Sequence, residues 1–322
     1  MSSDPLLIPR LYVSLSKGKQ QMSFSSIEIC AGGGGQALGL EMAGFNHVCV
    51  TDNDPGACAT LRYNRPNWVV QEEDLRDFSA SAFRGVDLFA GGVPCPPFSI
   101  AGKQLGGSDE RDLFPVALDL ISQCNPKAVM LENVRGLAGP KFQDYRNQVV
   151  KVMHDQGYDV SWKTIYACNF GVPQLRPRYV LVGIKEEYSR YFVFPEGNGE
   201  RNTVGATLVD LMASNGWAGA DAWAKKANDI APTVVGGSKR HGGADLGPSR
   251  AKARWLDLHV DGKGIANEGP DSESPFDLIP RLTNQMVARI QGFPDEWQIQ
   301  GKKTSQYRQI GNAFPPPVAM AI

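Results

Sequence analysis

The pattern that most restricts the fold is an apolar strand followed by glycines and a helix, close to the start of the chain. Residues 26–30 (SIEIC) have the character of a short buried strand. Glycines fill positions 32–35, and residues 36–43 (QALGLEMA) continue as a helix. This order opens a doubly wound α/β sheet, in which the glycines let a nucleotide approach the backbone. The sequence therefore predicts an α/β fold built around a nucleotide-type ligand.

Two acidic residues follow the next strand-like runs. Residues 47–51 (HVCVT) end at Asp52, and a short run at 68–70 precedes Asp74. An acid about twenty positions past the glycines can hold ribose hydroxyls, and Asp74 is placed to reach the adenine edge. Helix capping or solvation in a loop is the alternative for both. At this point NAD and S-adenosylmethionine satisfy the pattern equally well.

A cysteine between prolines follows the strand at 87–90. Cys95 lies between Pro94 and Pro96, and glycines at 102, 106 and 107 give the following residues conformational freedom. Prolines fix φ and cannot join a ladder, so the segment predicts a stiff, irregular loop at the carboxyl end of a strand. Reactive groups gather at such ends, which suggests a nucleophile. A small buried hydrophobic residue is the alternative.

Polar residues also mark the ends of two later elements. The strand at 127–133 ends in Glu132, where a carboxylate is costly without a partner, although capping of the next turn is possible. In residues 170–178, Gln174, Arg176 and Arg178 alternate, so an extended chain would direct all three to one side. Beside a cleft they would suit phosphate and base contacts, whereas a solvated edge strand is the alternative. Residues 179–184 form another strand.

Composition restricts the setting of the protein. The formal net charge is −1, so bulk charge does not indicate a nucleic-acid partner. The six cysteines show neither a CxxC pair nor a zinc-like spacing, which favours a reducing cytoplasm and no metal. Residues 1–22 lack a signal-peptide pattern, and no window reaches the roughly 20 apolar residues of a membrane span.

The composition changes after residue 184. Residues 185–280 contain few continuous apolar runs, which predicts a second, smaller domain. Residues 225–263 carry eight Lys or Arg against four Asp or Glu, a local charge of +4. Within them, residues 236–243 (GGSKRHGG) form a flexible basic loop suited to a nucleic-acid groove. A polar surface insertion is the alternative.

Several of these segments resemble the motifs of the cytosine-C5 DNA methyltransferases. Residues 94–106 (PCPPFSIAGKQLG) resemble the catalytic motif, with Pro96 in place of the usual glutamine. Residues 28–35 resemble the first, cofactor-binding motif, although Cys30 stands in place of its usual aromatic residue. Asn53 stands in place of the aromatic residue that often follows the ribose-binding acid. The sequences ENV at 132–134 and QLRPR at 174–178 resemble the sixth and eighth motifs. Residues 281–294 and 311–317 resemble the ninth and tenth.

The resemblance implies a Rossmann-like S-adenosylmethionine-dependent methyltransferase with a target-recognition domain. It would transfer a methyl group to C5 of a flipped cytosine in duplex DNA through a Cys–C6 adduct. The implied catalytic residues are Cys95, Glu132, Arg176 and Arg178, and the implied DNA-binding residues are Ser99 and Gln174. Lys239 and Arg240, in the basic loop, are further DNA-binding candidates from the local charge. The implied cofactor-binding residues are Cys30, Ala31, Gly32, Gly34, Gly35, Asp52, Asn53, Asp74, Leu75, Pro94, Asn312 and Phe314.

The expected organisation is an arm at 1–22, a catalytic and cofactor-binding domain at 23–184, a target-recognition domain with hinge at 185–300, and a returning segment at 301–322. The expected protein is a cytoplasmic, nucleoid-associated bacterial monomer, with a separate restriction endonuclease as a possible companion. Alternatives are a cytosine-C5 tRNA methyltransferase, an inactive DNA-binding relative and an NAD oxidoreductase. Methyl transfer to duplex DNA or to tRNA distinguishes the first.

Overall fold

Seven short strands form the centre of the molecule in a computed structural model that describes residues 23–94, 112–237 and 243–322. The strands are β1 (Phe24–Ile29), β2 (Phe45–Asp52), β3 (Val70–Glu72), β4 (Leu88–Gly92), β5 (Ala128–Val134), β6 (Tyr158–Tyr166) and β7 (Pro177–Lys185). Their order in the sheet is β3-β2-β1-β4-β5-β7-β6. The prediction of an α/β doubly wound fold is confirmed.

The sheet is mixed, and its pairing determines where the polar strand ends meet. Strands β1 to β5 run parallel to one another, whereas β7 runs antiparallel between β5 and β6. The order reverses between β1 and β4, which opens a crevice at their carboxyl ends. Because β7 is antiparallel, its first residues lie at the same edge, with Arg178 opposite Val134 of β5.

Helices cover the sheet, and the elements that follow β7 in the described part of the chain are helices. They are α1 (Gly35–Met42), α2 (Pro55–Asn64), α3 (Phe114–Cys124), α4 (Gln143–Asp155), α5 (Glu186–Ser189), α6 (Val204–Ala213), α7 (Ala220–Lys226), α8 (Ser249–Asp257), α9 (Asn284–Ile290), α10 (Lys303–Asn312) and α11 (Pro316–Ala321). The predicted strand at 68–70 is displaced, since β3 begins only at Val70. Trp68 instead packs edge-on against His47, with ring centroids 4.6 Å apart.

The hydrophobic core crosses the predicted boundary at residue 184. One buried cluster joins Val50 and Leu61, beside the sheet, to Trp217, Trp255 and Met286 of the later helical region. The division into domains therefore remains a prediction. The returning C-terminal segment packs closely against α1. A Cβ at Gly39 would overlap the carbonyl oxygen of Pro316, so the approach requires a glycine there.

Two further findings apply to the described residues alone. No helix among them is long and apolar enough to cross a membrane. Within the same residues, no group of three or more His, Cys, Asp or Glu side chains is arranged to hold a metal ion.

Candidate active site

A cavity of about 270 Å³ lies at the carboxyl edge of the sheet. It occupies the crevice between β1 and β4, where the strand order reverses. Nine of the twelve predicted cofactor residues line it: Cys30, Ala31, Gly32, Asp52, Asn53, Leu75, Pro94, Asn312 and Phe314. Glu132, a predicted catalytic residue, also lines the cavity. The fold thus brings together segments from the first third and from the end of the chain.

The glycines between β1 and α1 have different tasks. Gly32 has a positive φ of 54°, and a Cβ there would meet open space. At Gly34 (φ 84°), a Cβ would lie 2.7 Å from side-chain atoms of Leu61 and Trp297. At Gly35 it would overlap the carbonyl oxygen of Phe314. Gly32 therefore borders the cavity, whereas Gly34 and Gly35 permit close packing behind it.

The turn is held from two sides. The N–H of Gly32 donates to Oδ2 of Asp52 over 2.8 Å, and the other oxygen of Asp52 accepts from the N–H of Asp54 over 2.8 Å. Nε1 of Trp297 donates to the carbonyl of Gly33 over 2.9 Å. Asp52 consequently shapes the turn as well as lining the cavity, a role that the sequence did not reveal.

Asp74 is placed differently from the other predicted cofactor residues. It does not line the cavity, and its carboxylate pairs with Arg76 over 2.9 Å in a partly exposed ion pair. Its neighbour Leu75 does line the cavity. The side chain of Asp74 is thus engaged locally, and its predicted contact with adenine would require that pair to rearrange.

Three polar residues in the cavity wall were missed by the sequence analysis. Neither carboxyl oxygen of Glu28 has a hydrogen-bond partner among the described residues, and the same holds for Oε1 of Gln36 and Oγ1 of Thr51. All three residues line the cavity and are almost completely buried. Buried polar atoms without partners are rare, so this wall fits a ligand with polar groups. A glutamate between two isoleucines, Ile27 and Ile29, in strand β1 was the available signal.

Burial changes the ionisation of two groups at the end of β1. The pKa of Glu28 is raised well above its usual value, first by burial and then by the nearby charge of Asp52. The pKa of the Cys30 thiol is also raised, by burial and by the charges of Asp52 and Asp74. A thiol with a raised pKa stays protonated at neutral pH, which agrees with Cys30 as a residue that lines the cavity.

Glu132 and Arg178 form an ion pair at the border of the cavity. Nε of Arg178 lies 2.6 Å from Oε1 of Glu132, and only 11% of each side chain is exposed. The two residues are diagonal neighbours across β5 and β7, because Arg178 lies opposite Val134 and Val180 opposite Glu132. Burial lowers the pKa of Arg178 and the Glu132 charge opposes that change. The antiparallel insertion of β7 therefore brings these two predicted residues into direct contact.

The chain on either side of the predicted nucleophile is anchored. Nδ2 of Asn133 donates to the carbonyl of Val93 over 2.8 Å, and the carbonyl of Pro94 accepts from the N–H of Leu113 over 3.2 Å. Cys95 itself and Ser99 lie outside the described residues, as do Lys239 and Arg240. Their roles stay predictions, but the chain enters the Cys95 segment beside Glu132 and leaves it at the same place.

The placement of Gln174 and Arg176 corrects their interpretation as groups that face DNA or the target base. Leu175 is exposed, and the side chains on either side of it are fully buried. The alternation is therefore present, but it directs Gln174 and Arg176 into the protein. The guanidinium of Arg176 donates to the carbonyls of Val234, Gly311 and Ala313 at 2.7–2.8 Å. Of the three alternating residues, Arg178 alone pairs with a residue that lines the cavity, Glu132.

The sheet is parallel apart from the antiparallel strand β7, and its carboxyl edge carries a glycine turn and an ion pair. These features define a class of enzyme that uses a nucleotide cofactor. The family model of C-5 cytosine-specific DNA methylases matches residues 24–322, and the chain belongs to this family. It is thus a DNA cytosine-5 methyltransferase, a family that takes its methyl group from S-adenosylmethionine and acts through a covalent adduct.

Similar proteins agree with this assignment. The chain is 57% identical to the Type II methyltransferase M.NaeI of Lentzea aerocolonigenes, over 93% of this chain and 74% of the relative. It is 54% identical to M.NgoMIV of Neisseria gonorrhoeae, over 94% and 96% of the two chains. Among solved structures, a Spodoptera frugiperda DNMT2 mutant is similar in fold, with a TM-score of 0.65 and 16% identity over 92% of this chain and 98% of that one.

Proposed function

We propose that the cavity binds S-adenosylmethionine and that the target cytosine enters beside Glu132. The observation that carries this proposal is the position of the Glu132–Arg178 pair, which borders the same cavity as the glycine turn. Gly32, Asp52, Asn53, Leu75, Asn312 and Phe314 would hold the cofactor, together with the polar atoms of Glu28, Gln36 and Thr51. The bound cofactor supplies an electrophilic methyl group.

The catalytic cycle would begin with the thiolate of Cys95. Its addition to C6 of cytosine pushes electron density to C5, which then takes the methyl group. Glu132 would hydrogen-bond N3 and the exocyclic amine and supply a proton at N3 as the negative charge develops there. Removal of the C5 proton by a base restores the C5–C6 double bond and breaks the S–C6 bond, which regenerates the thiolate. The target base must leave the helical stack first, at a cost of roughly a few kcal/mol.

Arg178 would keep Glu132 in position for this chemistry. Its Nε binds one carboxylate oxygen, Oε1, while the other oxygen faces Gly92, where a Cβ would lie 3.4 Å away. The second oxygen would be presented to the N3 edge of a cytosine, and the guanidinium adds electrostatic support.

The choice of DNA sequence would reside in residues 185–280, which contain the basic run at Lys239 and Arg240. Since identity to M.NgoMIV reaches 54% over nearly the whole chain, we propose that both methylate the same duplex sequence. The enzyme would act as a monomer in the bacterial cytoplasm on nucleoid DNA, protecting it from a separate restriction endonuclease.

The test has two stages. The enzyme is expressed in a methylation-free host, and bisulfite sequencing of the DNA identifies the modified sequence, in parallel with M.NgoMIV. A duplex with 5-fluorocytosine at the mapped position is then incubated with the enzyme. Fluorine at C5 cannot be removed as a proton, so the protein should stall as a covalent complex that survives denaturing electrophoresis.

Three controls make the trapping specific. The covalent complex should form only when S-adenosylmethionine is present, and it should not form on tRNA. It should also be absent with Cys95→Ser, because the serine hydroxyl is far less acidic than a thiol. The Cys95→Ser protein should still bind the duplex. Active wild-type enzyme that leaves the fluorinated duplex untrapped would refute the proposed adduct, and transfer to tRNA instead of DNA would refute the proposed substrate.

A further inference from the structure

The turn between β1 and α1 consists of four consecutive glycines, so its conformation depends on the protein around it. Residues 32–35 carry no Cβ, and Gly32 and Gly34 have positive φ values of 54° and 84°. Glycine loses more conformational freedom on folding than any other residue. A turn of this composition presents one geometry to a ligand only if other parts of the chain hold it.

One peptide group of this turn is held at both of its edges. The N–H of Gly34 donates to the carbonyl of Ala31 over 3.0 Å and closes the turn. The carbonyl of Gly33, on the opposite edge of the same planar group, accepts from Nε1 of Trp297 over 2.9 Å. Among the described residues, Ala31 and Gly32 line the cavity and Trp297 does not. The indole therefore holds the turn from behind.

The ring of Trp297 also packs on the turn. A Cβ at Gly34 would lie 2.7 Å from Cζ2 of the ring, so the ring lies directly against the backbone. Trp297 is 4% exposed, and Phe293 stacks beside it with ring centroids 6.4 Å apart. Loss of the indole N–H would leave the buried carbonyl of Gly33 without this donor, which is costly where water cannot replace it.

Helix α2 anchors the segment that carries Trp297. The N–H of Gln298 donates to Oδ1 of Asn64 over 2.8 Å, and Nδ2 of Asn64 donates back to the carbonyl of Gln298 over 2.9 Å. The N–H of Gln300 donates to Oγ1 of Thr60 over 2.9 Å. Since α2 follows the end of β2, which lines the cavity, the segment is fixed to two neighbouring parts of the cavity wall.

We propose that Trp297 is a positioning residue that holds the glycine turn in the geometry that binds S-adenosylmethionine. This rests on the proposed function, in which the cavity holds that cofactor. A turn that is already restrained has less conformational freedom to lose on binding, so the restraint raises affinity without touching the ligand. Trp297 falls within residues 185–300, the expected target-recognition domain and hinge, and this part of that range would serve the cofactor site.

Trp297→Phe tests the restraint, and Trp223→Phe is its matched control. Trp223 is 3% exposed, and its Nε1 donates to the carbonyl of His259 over 2.8 Å. Each substitution removes one buried indole N–H and part of a ring, so both should lower the melting temperature. Calorimetric titration with S-adenosylhomocysteine should show affinity weakened on the order of 10-fold in Trp297→Phe and within about twofold of wild type in Trp223→Phe.

Steady-state kinetics separates positioning from a part in the chemical step. In Trp297→Phe the KM for S-adenosylmethionine should rise by a factor similar to the loss of affinity. The kcat at saturating cofactor and the KM for duplex DNA should stay within about twofold of wild type, because a saturating ligand itself orders the turn. A large fall in kcat with unchanged affinity for S-adenosylhomocysteine would overturn the positioning role.

Asn64→Ala tests the anchor on α2 without altering the indole or the turn. Asn64 is half-buried, so water can reach the groups of Gln298 that it leaves, and the protein should fold. Affinity for S-adenosylhomocysteine should fall about threefold, as expected when part of one hydrogen bond's free energy is lost from the bound geometry. The control is Asn202→Ala, which removes a 2.7 Å bond to the carbonyl of Gly171 and should leave the affinity unchanged.

The outcomes separate this inference from the proposed function. A folded Trp297→Phe protein that binds S-adenosylhomocysteine as the wild type does would overturn the inference. Should that variant fail to fold, wild-type affinity in Asn64→Ala would overturn it instead. Equal losses of affinity in the Trp297 and Trp223 variants would assign the effect to general destabilisation and reject the positioning role. A wild-type protein that fails to bind S-adenosylhomocysteine would overturn the proposed use of the cavity, and the inference with it.

Discussion

The ion pair between Arg178 and Glu132 makes each residue depend on the other, because neither is well solvated. Removing one partner of a buried pair leaves an uncompensated charge, which costs about 3–5 kcal/mol. We therefore expect Arg178→Met to lower the free energy of unfolding by about this amount and to reduce kcat. Urea unfolding monitored by circular dichroism measures the first effect, and steady-state methyl transfer measures the second.

An exposed pair on the same protein provides the control for Arg178. Arg62 and Glu72 are separated by 2.9 Å with 47% and 36% of their side chains exposed, so Arg62→Met should change stability by less than about 1 kcal/mol. A second change, Glu132→Gln, in the Arg178→Met background should recover part of the loss, because the stranded carboxylate is neutralised. Equal destabilisation by Arg178→Met and Arg62→Met would contradict the buried-pair interpretation.

Glu28 should make the stability of the ligand-free protein depend on pH. Burial raises its pKa, so the native state keeps a proton that the unfolded chain releases above about pH 4.3. The free energy of unfolding should therefore decrease as the pH rises from there towards the raised pKa, by up to about 1.4 kcal/mol per pH unit. Glu28→Gln cannot ionise, so its stability should decrease less between pH 5 and pH 8.

The matched control for Glu28→Gln is Glu296→Gln, which changes an exposed carboxylate. This variant should keep the wild-type dependence of the free energy of unfolding on pH. Urea unfolding at four pH values and constant ionic strength measures the slopes. If Glu28→Gln and the wild type lose stability in parallel over this range, the buried carboxyl does not carry a proton in the native state.

At the scale of elements, the strands were the easiest part to predict. Apolar runs at 47–51 and 179–184 lie inside β2 and β7, because burial in a sheet covered on both faces requires such runs. The start of the strand predicted at 68–70 was wrong, because Trp68 packs on His47 and does not belong to β3. The insertion of β7 between β5 and β6 has no local sequence signal, since non-sequential pairing depends on long-range contacts.

Positions of site residues could be predicted from the sequence where a single local pattern indicates them. The position of Glu132 followed from the end of its strand, and Asp52 from its distance to the glycines. Arg176 was misinterpreted because its acceptors are carbonyls about 60 to 140 positions away, at Val234, Gly311 and Ala313. Similarly, Gly35 is required by the backbone of Phe314, a close approach that no local pattern reveals.

At the scale of the whole molecule, the shared core has a consequence for unfolding. Side chains beside the sheet, Val50 and Leu61, belong to one buried cluster with Trp217, Trp255 and Met286 of the later helices. Buried hydrogen bonds from Arg176 to Val234 and from Gln174 to Gln291 cross between the same regions. Neither region can lose its structure without exposing apolar surface and polar groups of the other, so the chain should unfold cooperatively.

Differential scanning calorimetry in the presence of S-adenosylhomocysteine tests this cooperativity. We expect a single transition whose calorimetric and van't Hoff enthalpies agree. At a ligand concentration 100 times Kd the native state gains about 2.7 kcal/mol, so the whole transition should move to higher temperature. NAD at the same concentration is the control ligand, and it should not change the transition temperature. Two resolved transitions, of which the ligand moves one alone, would show that the sheet and the later helical region are independent folding units despite their common core.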